Sequence, residues 1–131
     1  MLMDLLLDTS ALVLFLEGSK RMPQSLKRII QSADHQCFVS IVSAWEIAIK
    51  SAIGKLSIGY RVEPDLRLAL ISNGIEVLPV TWEDVGRVEM LPQHHGDPFD
   101  RLLIVQAMRL GLHAVTPDEA WDDYGVSRLW N

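Results

Sequence analysis

A chain of 131 residues with 49% hydrophobic and 22% charged positions has the apolar content for one compact core over 1–131, which excludes a disordered or low-complexity protein. A formal net charge of −5 argues against the broad basic surface that usually marks a nucleic-acid binder, an objection that stands until a metal is considered, and the longest apolar run, Ala11 to Leu16, is too short to span a bilayer. The single cysteine, Cys37, cannot form an internal disulfide, and the apolar N-terminus is broken by Asp4 and Asp8 without a preceding basic residue, so a soluble, cytoplasmic protein with no membrane role is expected.

Met3 to Leu7 lacks polar alternation, as a strand buried on both faces does, and ends at Asp8. Thr9-Ser10 then opens a helix that Gly18-Ser19 stops, and a second helix follows Pro23 with Leu26, Ile29 and Ile30 on one face. Gln36 to Val39 reads as a second strand, after which Ser40 caps a helix ending near Gly54. Glu46 and Lys50 are the charged positions of that helix, so most of its circumference, Trp45 included, is expected in the core. Ser57 to Glu63 reads as a loop, Pro64 to Ser72 as a helix and Ile75 to Val80 as a third strand. Thr81 opens a helix that offers Val85, Val88 and Met90 to the core and ends at Pro92.

Asp97 is a natural helix N-cap, Pro98 suits the first helical position, and the following apolar stretch runs to Gly111. Leu112 to Val115 is a fourth strand, Thr116-Pro117-Asp118-Glu119 matches a capping box, and Val126 to Leu129 adds an edge strand. Strands alternating with helices predict an α/β protein, a three-layer α/β/α sandwich around a mainly parallel sheet of four or five strands. Sites in such folds collect at the carboxyl ends of the strands. Asp8 ends the first strand, Asp118 follows the fourth, the amino end carrying Asp97 and Asp100 lies at the same edge, and Glu46 reaches it from the side.

Each acid also has a structural explanation. Asp8 and Asp97 suit helix caps, Asp100 favours the helix dipole, Asp118 shapes a turn, and Glu46 pairs with Lys50. Taken together, carboxylates gathered at one edge repel unless a cation lies between them, and hard oxygen ligands without nearby cysteine select Mg²⁺ or Mn²⁺. Such ions commonly act on phosphate esters. His94 and His95 fit either a polar loop or a proton-relay or phosphate contact, and Arg101 either a substrate phosphate or a solvated helix face. Thr9, Ser10 and Thr116 are candidates to orient the acids. Lys20, Arg21, Lys27 and Arg28, with Lys50, Lys55 and Arg61, are the basic residues available to a polynucleotide.

Leu5-Leu6-Leu7-Asp8-Thr9-Ser10-Ala11-Leu12, Ser43-Ala44-Trp45-Glu46-Ile47, Asp97-Pro98-Phe99-Asp100-Arg101-Leu102-Leu103 and Thr116-Pro117-Asp118 form an ordered set spanning nearly the whole chain. The set resembles the PIN-domain ribonucleases, in particular the VapC-like toxins of type II toxin-antitoxin modules. One departure is Gly96, where many relatives carry a bulkier polar or basic residue. The resemblance implies a PIN-like fold and endoribonuclease chemistry with Mg²⁺ or Mn²⁺ on Asp8, Glu46, Asp100 and Asp118, Asp97 being an accessory. In that scheme Asp8 and Asp100 are the central ligands, Asp118 completes the pocket directly or through water, and Glu46 holds a metal-bound water or a second ion. It also implies an RNA substrate, a homodimer and a cognate antitoxin that covers the acidic pocket. The competing reading is a PIN-like module that binds RNA or protein without cutting. A phosphatase of the haloacid dehalogenase type fits poorly, because Ser10 stands where its second acid is expected.

Overall fold

In the computed structural model, which describes residues 2–131, the strands are β1 (Asp4–Leu7), β2 (Gln36–Ser40), β3 (Ile75–Leu78), β4 (His113–Val115) and β5 (Arg128–Leu129). They form one five-stranded sheet in the order β3-β2-β1-β4-β5, parallel throughout. β1 is central, with Leu5 opposite Cys37 and His113, and Leu7 opposite Val39 and Val115. Side chains alternate across a strand, so Leu5 and Leu7 enter one core and Leu6 the other, and all three are fully buried.

The connecting helices are α1 (Thr9–Glu17), α2 (Gln24–Gln31), α3 (Ile41–Ala52), α4 (Arg67–Ser72), α5 (Trp82–Met90) and α6 (Pro98–Leu110). One wide turn over Val62–Leu66 leads into α4, and a tighter 3₁₀ turn over Glu119–Tyr124 precedes β5. Leu12, Leu26, Ile47 and Leu70 cover the Leu5 and Leu7 face, whereas Leu103, Ile104 and Trp121 cover Leu6. The result is the expected three-layer α/β sandwich around a parallel sheet. Helix α3 touches both α1 and α6 and sends Ile47 to one core and Val42 to the other. No helix among the described residues is long and apolar enough to cross a membrane.

The helix starts and stops follow local chemistry. Ser40 accepts from the Val42 N–H, and Gly18 and Gly111 close α1 and α6 at φ of 64° and 65°, where a side chain is strained.

Three expectations are corrected. Ile41, Trp45, Ile49 and Ile53 line an outward face of α3, so its circumference is not mostly buried and Trp45, 60% exposed, is not core. In α5, Val85 and Met90 face outward and Val88 packs inward beside a fully buried Asp84. Asp84 completes a capping box with Thr81 and also accepts from Arg109 and Gln106 of α6, and this polar anchor rotates the apolar positions away. Thr116 does not cap the final turn. Asp118 does so, accepting from the Ala120 N–H at 3.0 Å, and Thr116 instead accepts from the Asp118 N–H.

Candidate metal centre

Asp8 leaves β1 in extended geometry and caps α1, with Oδ1 accepting from the Ala11 N–H at 2.7 Å. The Thr116 hydroxyl, just past the neighbouring β4, donates to Oδ2 of Asp8 and accepts from the Asp118 N–H at 3.0 Å. One hydroxyl thus ties the acids that follow two adjacent strands. Thr9 turns instead to Ser43, donating at 2.9 Å, and Ser10 is exposed. Burial pushes the Asp8 carboxyl up to about 6, against the lowering effect of the bonds from Thr116 and Ala11, and Asp118 and Glu46 push it further up.

Glu46 is buried on the second turn of α3, and Lys50 one turn on pairs with its Oε2. The pairing expected from their spacing therefore forms, but it uses only one oxygen. Oε1 of Glu46 is buried with no hydrogen-bond partner. A buried acceptor with no partner costs about 1–3 kcal/mol, more when charged, so this oxygen has an open demand for a hydrogen bond or a cation.

At the start of α6, Oδ1 of Asp97 accepts from the N–H groups of Phe99 at 2.8 Å and Asp100 at 3.3 Å, so Asp97 is a helix cap in place. Asp100, one turn in, has its carboxyl pushed up to about 7 by burial first, then by the charges of Asp8 and Asp97; His95 pulls it down and Glu46 pushes it up. The charges of Asp8, Asp97 and Glu46 thus act on Asp100, and those of Asp118 and Glu46 act on Asp8. Trp45, the residue before Glu46, packs edge-on to Phe99, the residue before Asp100, with ring centres 5.2 Å apart.

His95 has a larger place than the sequence signalled. Its Nε2 lies 2.7 Å from Oδ2 of Asp118 and 3.2 Å from Oδ2 of Asp100. One ligand atom from each of these three residues falls within 4.8 Å of the other two. Asp8 and Glu46 stand outside that tight trio and reach it by charge. Arg101 takes neither expected role. It is buried and donates to the carbonyls of Val88, Leu91, Pro92 and His95, so it fastens the loop ahead of α6 rather than meeting substrate. Tyr124, which no local motif marks, accepts from the N–H groups of both His94 and His95. A Cβ at Gly96 would meet nothing within 4 Å, so the backbone there does not itself exclude a side chain.

The donors are carboxylate oxygens with one imidazole at hand, a set that suits a hard divalent cation, and the orphaned Glu46 oxygen fits such an ion's demand. Beside Glu46 opens a cavity of about 380 Å³ lined by Ser10, Arg21, Lys50 and Lys55 among others. Of the basic residues noted in the sequence, these three cations line it; Lys20, Lys27, Arg28 and Arg61 do not.

A family model described as PIN domain matches residues 5–126. No curated protein sequence matches the chain. Among solved structures, the chain is similar to VapBC2 from Rickettsia felis bound to a DNA fragment from their promoter, with a TM-score of 0.70 at 12% identity over 98% of this chain and 100% of that one. It is also similar to a toxin-antitoxin complex from Klebsiella pneumoniae, with a TM-score of 0.57 at 18% identity over 86% of this chain and 85% of that one.

Proposed function

The chain belongs to the PIN domain family, and on that premise we propose that it is a metal-dependent endoribonuclease acting as the toxin of a type II toxin-antitoxin module. The observation that carries this reading is the buried, unpartnered Oε1 of Glu46 beside Asp8 and Asp100, whose carboxyls are held far above the usual range. Asp8, Asp100 and Asp118 would hold Mg²⁺ or Mn²⁺, Glu46 would orient a water or a second ion through its free oxygen, and Asp97 fixes the start of α6 as an accessory acid. When bound, the ion polarises the scissile phosphoryl oxygen and acidifies the attacking water. Thr116 keeps Asp8 oriented through its hydroxyl.

RNA is held by Arg21, Lys50 and Lys55 along the cavity next to Glu46, which offers local positive charge in a chain of net charge −5. The structural likeness to two toxin-antitoxin complexes supports an antitoxin partner, and the reading takes the protein to act as a cytoplasmic homodimer.

Purified protein is expected to cut RNA with Mg²⁺ or Mn²⁺, to stop with chelator, and to lose about a hundredfold or more in rate as Asp8→Asn, consistent with the several kcal/mol a Lewis-acid ion supplies. Unchanged cleavage in that variant sinks the assignment. RNA or antitoxin binding that persists without metal, with no product under any ion condition, marks the non-cleaving module instead. Lys55→Glu is expected to raise KM about fivefold, to leave kcat in place and to flatten the salt dependence of RNA binding; steady-state kinetics at several salt concentrations check this.

A further inference from the structure

His95 is held at every polar atom it offers. Its N–H donates to the Tyr124 hydroxyl at 2.8 Å, its carbonyl accepts from Arg101 at 3.3 Å, and its ring Nδ1 accepts from the Asp97 N–H at 3.1 Å. With Nδ1 engaged as an acceptor, Nε2 carries the ring's proton and donates to Asp118, with Asp100 within reach. The ring thus joins a carboxylate on α6 to one that follows β4.

Tyr124 closes the circuit. Its hydroxyl also accepts from the His94 N–H at 2.9 Å and donates to the Pro92 carbonyl at 2.8 Å, so one oxygen gathers the loop from 92 to 95. Tyr124 ends the short turn that Asp118 caps. The hydroxyl and the carboxylate therefore belong to one rigid piece of chain, and His95 is clamped between them.

We propose that His95 is a positioning residue of the metal centre, setting the Asp100 and Asp118 carboxylates by hydrogen bonding, and that Tyr124 acts on the centre through His95. This rests on the metal-dependent reading given above. His95 donates rather than ligates in this arrangement, because its Nε2 proton points at the carboxylates and a lone pair there requires breaking the Asp97 contact. Residues that orient ligating carboxylates carry about 10–100-fold of metal affinity.

The test is calorimetric titration of the metal-free protein with Mn²⁺ for the wild type, His95→Ala, His95→Gln, Tyr124→Phe and the double variant His95→Ala with Tyr124→Phe, with melting temperatures recorded beside it. His95→Ala is expected to weaken Mn²⁺ binding by about 10–100-fold, and His95→Gln, which keeps a donor, to recover part of the loss. Tyr124→Phe keeps the ring and is expected to lose less, in the same direction. The double variant is expected to bind like His95→Ala alone, because the Tyr124 hydroxyl acts on the carboxylates by holding the loop that carries the His95 ring. Affinity unchanged or tightened in His95→Ala, or additive losses in the double variant, overturns the inference while leaving the metal reading standing. A wild type that takes up no Mn²⁺ overturns both.

Discussion

Asp100→Asn is expected to abolish RNA cleavage and, at the same time, to make the metal-free protein more stable at neutral pH. Burial and the charges of Asp8 and Asp97 hold the Asp100 carboxyl at about 7, against an ordinary value of 3.8. A carboxyl raised in the folded state prefers its proton there, so its favourable contribution is complete below about pH 4 and is lost as pH climbs through 7. The rise from 3.8 to about 7 corresponds to about 4 kcal/mol, and solvent at the remaining fifth of exposed side chain trims this to about 2–4 kcal/mol. Asp8, held at about 6 mainly by burial, adds a smaller loss over pH 4 to 6. Asparagine removes the ionisation while its carbonyl can still accept from His95. Melting curves without metal are expected to coincide for variant and wild type near pH 4 and to separate in the variant's favour at pH 7.5. Added Mn²⁺ is expected to raise the wild-type melting temperature at pH 7.5 and to leave the variant's little changed. A variant less stable than wild type at pH 7.5 without metal would show that Asp100 serves the fold and not the ion.

This trade of stability for a charged site was partly legible beforehand. The unalternating Leu5-Leu6-Leu7, followed at once by Asp8, identifies both the central strand and the acid at its carboxyl end, because a strand buried on both faces has no room for polar alternation. Asp97, Pro98 and Gly111 likewise bound α6 by short-range chemistry. What local patterns do not carry is pairing across long separations. The short-range pattern of α5 does not mark Asp84 for burial, because its charge partner is Arg109, 25 residues away. Trp45 sits on an apolar stripe that reads as core, but α3 lies between α1 and α6 with one side open. The pattern shows that a face is apolar, not what covers it. Thr116 begins a sequence that satisfies a capping box, yet its hydroxyl is worth more against Asp8, a partner 108 residues away.

Arg101→Met is expected to cost about 3–5 kcal/mol of stability, and the reason lies in what the guanidinium touches. Its Nη2 meets the carbonyls of Leu91 at 3.0 Å and Val88 at 3.3 Å, at the end of α5, and its Nη1 meets Pro92 at 2.9 Å and His95 at 3.3 Å. Those carbonyls point inward at the turn from α5 to α6, and a thioether returns nothing to them. Leaving buried acceptors unpaired costs about 1–3 kcal/mol each, reduced where the loop relaxes toward water. Tyr124 still donates to Pro92 and the Leu91 N–H still donates to Val88, so the loss falls on the Leu91 and His95 carbonyls. For a chain of this size the loss corresponds to a fall of roughly 10–15 °C in melting temperature. Arg101→Lys is expected to fall by nearly as much, because one ammonium cannot span carbonyls that the planar fork reaches on two sides. Both variants loosen the His95 backbone, so Mn²⁺ affinity is expected to drop with stability. A substrate-binding arginine behaves oppositely: an unchanged melt with a raised KM for RNA would move Arg101 from the loop to the phosphate.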